Sequence, residues 1–165
     1  MTAFDSNPAL TATMRAKILP KEAGQIEVVD GMPNKVPTVT SDKFDGGIIG
    51  WGAFSHITSA RARRAFLKEL LAYLKPGAPI LISYLAAPPD SVSDRLRFAL
   101  ARLISTITFN RQAEHGDRIR LDFNPTFVHL FTRAQIEAII AEHNLTLIHI
   151  REAGEAHCVA ITSPR

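Results

Sequence analysis

FDGGIIGWGAFSHI (44–57) and, after five further residues, RRAFLKELLAYLKPGAPILISY (63–84) form the stretch whose reading decides the fold. FDGGIIGW is apolar through its middle and bounded by glycines, which reads as a strand. Thr58 or Ser59 then stands ready to cap a helix whose apolar positions Ala62, Ala65, Phe66, Leu70 and Leu74 recur at helical spacing. Lys75-Pro76-Gly77 stops that helix, because proline cannot continue it. PILISYL (79–85) is an apolar run ended by Ala86-Ala87-Pro88-Pro89, and reads as another strand. Strand, helix and strand in succession make the crossover unit of a parallel sheet.

The alternation continues outward. Asn7-Pro8 opens a helix through ALTATMRAKIL, with a capping residue followed by proline just inside. Gly24 ends it, and QIEVV (25–29) is a short β-branched strand; 31–43, with two prolines and no period, is a loop. Beyond the central unit a helix is expected from Ser93 to about Ser105, and Thr106 to Asn124 reads as irregular and polar. Thr132 caps a helix through Ile136, Ile139 and Ile140 that ends near His143-Asn144. LTLIHI (145–150) and HCVAIT (157–162) close the chain as strands joined by REAGEA, a length that suits an antiparallel hairpin. The expected class is α/β, with strands over 25–29, 45–50, 79–84, 145–150 and 157–162 in one sheet, the last pair partly antiparallel.

A chain of 165 residues suffices for a single domain, taken as 1–165, with a real core. Hydrophobic residues at 46% and charged residues at 21% exclude the disordered and fibrous classes. The one cysteine, Cys158, excludes a disulfide framework and a multi-cysteine metal site and fits a reducing compartment. MTAFDSNPAL lacks the order of a signal peptide, and no run of about 18 apolar residues exists to span a membrane. A cytoplasmic protein is expected. The net charge of +3 is uneven: residues 61–120 hold 11 Lys/Arg against 5 Asp/Glu. Such a basic middle is either a set of solvated helix faces or a surface for nucleic acid, anionic lipid or a small anion. Base-stacking aromatics are not interleaved there, so nucleic acid is not expected as a partner.

Four local features resemble the class I S-adenosylmethionine-dependent methyltransferases. They are AFDSNP (3–8), a strand end with an acid running into a helix; EVVDGM (27–32), a strand then an acid-glycine turn; the 44–84 block quoted above; and VHLFT (128–132) before the late helix and terminal hairpin. The resemblance runs from about residue 3 to residue 162. It implies a Rossmann-like, doubly wound, mostly parallel sheet with a C-terminal antiparallel hairpin, and methyl transfer from S-adenosylmethionine to an unidentified small-molecule or other nucleophile. It also implies a first strand and a glycine-rich loop ahead of Asp5. Only four residues stand there, and the earliest glycine is Gly24. That loop lets backbone amides approach the cofactor where a Cβ would collide. The expectation is therefore a truncated methyltransferase with weak or absent cofactor binding. The alternative is a catalytically inactive domain serving as a binding or dimerisation module. Loss of a central strand would leave two edges facing a gap and expose Val28, Ile48 and Ile49. A homodimer, or a partner chain completing the sheet, follows as an expectation.

The resemblance places Asp5 where an acid holds the cofactor ribose, Asp30-Gly31 beside the adenine, and Gly50, Trp51 and Gly52 in the loop after the fourth strand. All three groups should lie along one edge of the sheet. Trp51 either walls the adenine or substrate or covers the strand end. His56 is the catalytic candidate, since a neutral imidazole takes the proton lost from a methylated oxygen or nitrogen; otherwise it caps a helix or bonds a carbonyl. EHGDR (114–118) offers His115, Asp117 and Arg118 to a substrate pocket, with His115 and Asp117 as a base and its orienter or as plain loop residues. His129 either faces that pocket or caps a helix. His143, His149 and His157 read as structural, and with no zinc-like spacing among the six histidines no metal is expected. Arg95, Arg97 and Arg102, mixed with Leu96, Phe98, Leu100 and Leu103, fit either a lid or an anionic surface.

Overall fold

The computed structural model describes residues 1–39, 43–88, 114–120, 126–152 and 156–162, so the helix expected over 93–105 lies outside the described residues. Among the described residues eight strands and three α-helices follow one another: β1 (Thr2–Asp5), α1 (Pro8–Lys17), β2 (Glu27–Asp30), β3 (Gly47–Ile49), α2 (Ala60–Ala72), β4 (Pro79–Leu85), β5 (Asp117–Arg120), β6 (Thr126–His129), α3 (Arg133–Glu142), β7 (Thr146–Arg151) and β8 (Ala156–Thr162). Each helix starts where its cap chemistry dictates. The Asn7 side chain accepts from the Ala9 amide with Pro8 just inside, and Ser59 accepts from the Ala62 amide. Thr132 and Gln135 form a reciprocal capping box on α3.

The expected single sheet is corrected by the pairing. β1 and β2 form a parallel pair, β3-β4-β8-β7 a four-stranded sheet with β3 and β4 parallel and β8 antiparallel to both its neighbours, and β5-β6 an antiparallel hairpin. Ladder hydrogen bonds pass only between adjacent strands, and no described strand lies between β1 and β3. A second correction concerns 106–124. Asp117–Arg120 is a strand, because its alternating residues oppose those of β6 in register, Asp117 directly across from His129. The expected C-terminal hairpin is present, with an irregularity between Leu147 and His149.

The core lies between the four-stranded sheet and helices α2 and α3. Ile49, Ile82 and Val159, neighbours in register across three strands, are all buried there. α2 contributes Phe66 and Leu67, and α3 contributes Ile136 and Ile140. Ala65, expected on the core face of α2, is exposed, while Arg63 and Leu67 are buried in its place. Ile48, expected to be exposed, is 76% exposed, and Val28, expected likewise, is half-buried. Ile49 departs from the expectation: alternation along β3 turns it to the opposite face, into the core. Among the described residues no helix is long and apolar enough to cross a membrane.

His143, at the C-terminus of α3, has its Nε2 buried with no partner among the described residues, and burial pushes its pKa below the ordinary value of 6.5. As pH falls through that ordinary value the unfolded chain takes the proton first, so stability is lost on acidification toward the lower folded value. Urea midpoints should therefore drop between about pH 7 and 5, with a flatter profile in His143→Gln. An unchanged slope in that variant would assign the loss to other groups.

Candidate functional site

The candidate residues stand at the ends of strands in two hydrogen-bonded groups, β1-β2 and the sheet that holds β3. In the first, Asp5 and Asp30 are register partners at the ends of β1 and β2. Asp5 Oδ1 accepts from the Asn7 amide at 2.7 Å, and its carbonyl accepts from the Gly31 amide at 2.8 Å. A Cβ on Gly31 would stand 3.2 Å from that carbonyl oxygen, tighter than ordinary contact, so glycine suits the close approach. Asp30 is committed elsewhere. It accepts from the Thr11 hydroxyl and pairs with Arg15 at 3.0 Å, and the guanidinium, followed by the hydroxyl, holds its carboxyl below the usual carboxylate range. Among the described residues Asp5 Oδ2 has no partner.

The second group follows β3. The Ala53 amide donates to the Gly50 carbonyl at 2.9 Å, closing a turn whose central residues Trp51 and Gly52 have φ of 54° and 68°. Positive φ at both central positions defines a type I′ turn, which is favourable for glycine and strained for tryptophan. The turn is fixed to β4, since the Gly52 amide donates to Ser83 Oγ at 3.0 Å and Ser55 Oγ accepts from the Leu85 amide at 2.8 Å. Trp51 is nevertheless fully exposed, at 101%. It covers no strand end. His56 ends the 3₁₀ turn that follows, exposed, with Nδ1 3.0 Å from the Phe127 carbonyl oxygen. A carbonyl only accepts, so Nδ1 carries the proton and Nε2 holds the lone pair.

His56 thus touches the β5-β6 hairpin, where a buried network joins Asp117 to His129. Asp117 Oδ1 accepts from His129 Nδ1 at 2.6 Å, and Asp117 Oδ2 accepts from the Glu114 amide at 2.7 Å. Cross-strand register brings Asp117 and His129 together, whereas His115 lies two residues from Asp117 on a turn. The Thr132 amide donates to Gln135 Oε1, which fixes that amide's orientation; Gln135 Nε2 then donates to His129 Nε2 at 3.4 Å and to the His115 carbonyl at 3.2 Å. Both nitrogens of His129 are engaged, and the ring is 1% exposed. It positions the hairpin against α3. Arg118 donates to the adjacent Asp117 carbonyl at 2.9 Å.

Three members of this network, Arg63, Glu114 and Phe131, carried no assigned role in the sequence. Arg63, 3% exposed, pairs with Glu114 at 2.5 Å and donates to the Ile57 carbonyl at 3.0 Å. Burial pushes its pKa down, and Glu114 and Asp117 oppose that. Glu114 also accepts from the Ala60 amide, at the positive end of the α2 dipole. Phe131 binds the set together, stacked on Phe54 at 5.4 Å, edge-on to Tyr84 and His129, and 5.3 Å from the Arg63 guanidinium. The available signal was Arg63 itself, a charge three residues before Phe66 on the core face of a helix, which demands a buried counter-charge. A cavity of about 170 Å³ between α2 and α3 is lined by Arg63, Arg64, His129 and Gln135 among others.

No family model and no curated protein sequence matches this chain. Solved structures do match its fold. A SAM-dependent methyltransferase from Methanosarcina mazei superposes with a TM-score of 0.74 at 15% identity, over 99% of this chain and 81% of its own. The 1,6-didemethyltoxoflavin-N1-methyltransferase of Burkholderia thailandensis, solved with 1,6-didemethyltoxoflavin and S-adenosylhomocysteine, gives 0.65 at 12% identity, over 99% of this chain and 61% of its own. A glycopeptide N-methyltransferase complexed with S-adenosylmethionine gives 0.63 at 14%, over 99% and 72%. This chain has the class I S-adenosylmethionine-dependent methyltransferase fold.

Proposed function

We propose that the chain serves methyl transfer from S-adenosylmethionine to a small-molecule oxygen, nitrogen or carbon nucleophile in the cytoplasm. On this fold, the observation that carries the reading is a fully exposed Trp51 held on a strained turn close in sequence to His56, whose Nε2 lone pair stands in solvent. A tryptophan is kept in that conformation and fully wet at a cost of about 1–3 kcal/mol in backbone strain, which a ligand stacking on the ring would offset. The residues fit the cofactor in part. Asp5 keeps one carboxylate oxygen for a ribose hydroxyl, Gly31 and the Gly50–Gly52 turn permit close approach, and Asp30 is already taken by Arg15 and Thr11. When bound, S-adenosylmethionine supplies an activated methyl group on a sulfonium, so the protein's task is alignment. His56 Nε2 then accepts the proton released by the nucleophile, and His115 and Arg118 border the acceptor side.

A second reading, a non-catalytic binding or dimerisation module, is favoured by the commitment of Asp30 to Arg15 and Thr11. The two are separated by fluorescence, because Trp51 is the only tryptophan. Titration with S-adenosylhomocysteine should quench and blue-shift its emission with half-saturation in the millimolar range. Asp30 is withheld from the ligand by Arg15 and Thr11, and each hydrogen bond a ligand forgoes costs roughly 0.5–1.5 kcal/mol, which moves a micromolar site toward the millimolar range. Asp5→Ala should weaken binding further. Low-micromolar binding would refute the expected weakness, and no binding at all would favour the module.

A further inference from the structure

The structure assigns a second ligand site to the cleft between α2 and α3, one that takes a small, planar, uncharged molecule through a hydrogen-bond acceptor such as a ketone oxygen. The site is independent of the methyl-transfer reading, since neither Asp5, Trp51 nor His56 lines it. The cleft, about 170 Å³ in volume, lies along one face of each helix: Ala60 and Arg63 of α2, with Gln135, Ala138 and Ile139 of α3, recur at helical spacing. Alanine at 60 and at 138 leaves the space that a longer side chain on either helix would fill. A cavity of about 150 Å³ admits benzene, so a ring with one substituent has room here.

Most polar groups on the walls are already paired with one another. Glu114 accepts the Ala60 amide at one carboxylate oxygen and the Arg63 guanidinium at the other. Gln135 accepts from the Thr132 amide and hydroxyl, and donates to the His115 carbonyl and to His129. His129 is held at its other nitrogen by Asp117. Arg63 is the exception. Its guanidinium carries five N–H donors and makes two hydrogen bonds, to the Ile57 carbonyl and to Glu114. The other donors have no partner among the described residues, although the side chain is 3% exposed. Buried donors cost free energy unless they are bonded, and the cleft is the space that Arg63 lines. Its walls therefore offer donors and withhold acceptors.

Charge decides between an anionic and a neutral acceptor. Arg63 is balanced by Glu114 at 2.5 Å, and Arg64 by Glu142 at 2.7 Å, a pair of exposed residues that joins α2 to α3 at the rim. Asp117 adds a further carboxylate behind His129. An entering anion would meet no uncompensated cation, and moving an unpaired charge out of water is costly. A neutral carbonyl escapes that penalty and accepts from a guanidinium through a charge-assisted hydrogen bond. Phe131, Ala60 and Ala138 supply apolar wall for the ring.

The test is a heteronuclear (proton–nitrogen) NMR titration of the whole chain with acetophenone, ethylbenzene and benzoate, which share size and differ in the acceptor. Acetophenone should move the Arg63 Nε–H signal and the backbone amides of α2 and α3 saturably, with half-saturation at about 1 mM or below, the range for a fragment of this size. Ethylbenzene, which leaves the donors unpaired, should bind about tenfold more weakly or worse, and benzoate likewise. Ala138→Leu fills the cleft from an exposed helix position, so it should abolish the shifts with circular dichroism unchanged. Arg63→Lys keeps a charge for Glu114 but loses the planar fork, and should reduce acetophenone to the level of ethylbenzene, read at the α3 amides. Shifts that do not saturate, or that fall away from α2 and α3, would overturn the inference. So would ethylbenzene or benzoate binding as tightly as acetophenone, or undiminished binding in Ala138→Leu.

Discussion

Phe131→Ala is expected to lower the free energy of unfolding by about 3–5 kcal/mol, the range for a fully buried large-to-small aromatic change. The ring is 2% exposed and contacts three other rings together with the Arg63 guanidinium. Aromatic pairs add about 0.5–1.5 kcal/mol each beyond area burial, and the cation contact has the same order. The surroundings have little freedom to collapse into the space. Phe54 is held in the 3₁₀ turn after β3, Tyr84 in the middle of the four-stranded sheet, and His129 by Asp117 and Gln135. Phe131 also ties the hairpin to the sheet through its backbone, since its amide donates to the Leu85 carbonyl and its carbonyl accepts from the Ala87 amide. Alanine keeps those two bonds, so the variant isolates the ring. Equilibrium urea denaturation measures the loss. A change under about 1.5 kcal/mol, the cost of a mere methylene deletion, would mean that the aromatic cluster is far looser than its geometry.

The parts of the fold legible in the sequence are those fixed by local chemistry. PILISYL over 79–85 coincides with β4, and the Thr132 cap, the Ser59 cap and the Asn7-Pro8 start all sit where the side chains dictate. What eluded the sequence has long range. β5 and β6 are four residues each, β5 is charged at three of its four positions, and their pairing is set by Asp117 meeting His129 across twelve residues of chain. Strand periodicity in four residues is too brief to outweigh charge.

The candidate site divides in the same way. Asp5, Asp30 and Gly31 fall together because each stands at the end of a parallel strand, a consequence of register. That Asp30 turns to Arg15 and Thr11 was invisible, because it depends on α1 packing beside β2. His56 sits on the loop assigned to it, yet the partner that fixes its tautomer, the Phe127 carbonyl, lies 71 residues away. The pairing of Asp117 with His129 arises similarly, from a contact between strands.

Glu114→Ala should cost about 3 kcal/mol, near the lower end of the range for breaking a buried ion pair, because Glu114 is 29% exposed while Arg63 is 3% exposed. The carboxylate performs two tasks, neutralising a guanidinium held beneath Phe131 and accepting the amide of Ala60 at the start of α2. Its removal leaves the charge of Arg63 with only the more distant Asp117 to oppose it, on top of the lost helix-end contact, worth about 0.3–1 kcal/mol. The origin of the loss is exposed by a second change. Arg63→Met removes the stranded charge while keeping an unbranched chain of similar reach beside Phe131, and an apolar replacement of a buried pair is often neutral or stabilising. The double variant should therefore be more stable than Glu114→Ala alone, recovering roughly 1–2 kcal/mol as a coupling energy between contacting residues. If Arg63→Met and Glu114→Ala instead add independently, the guanidinium is hydrated in solution, and the network between α2 and the hairpin is a surface contact.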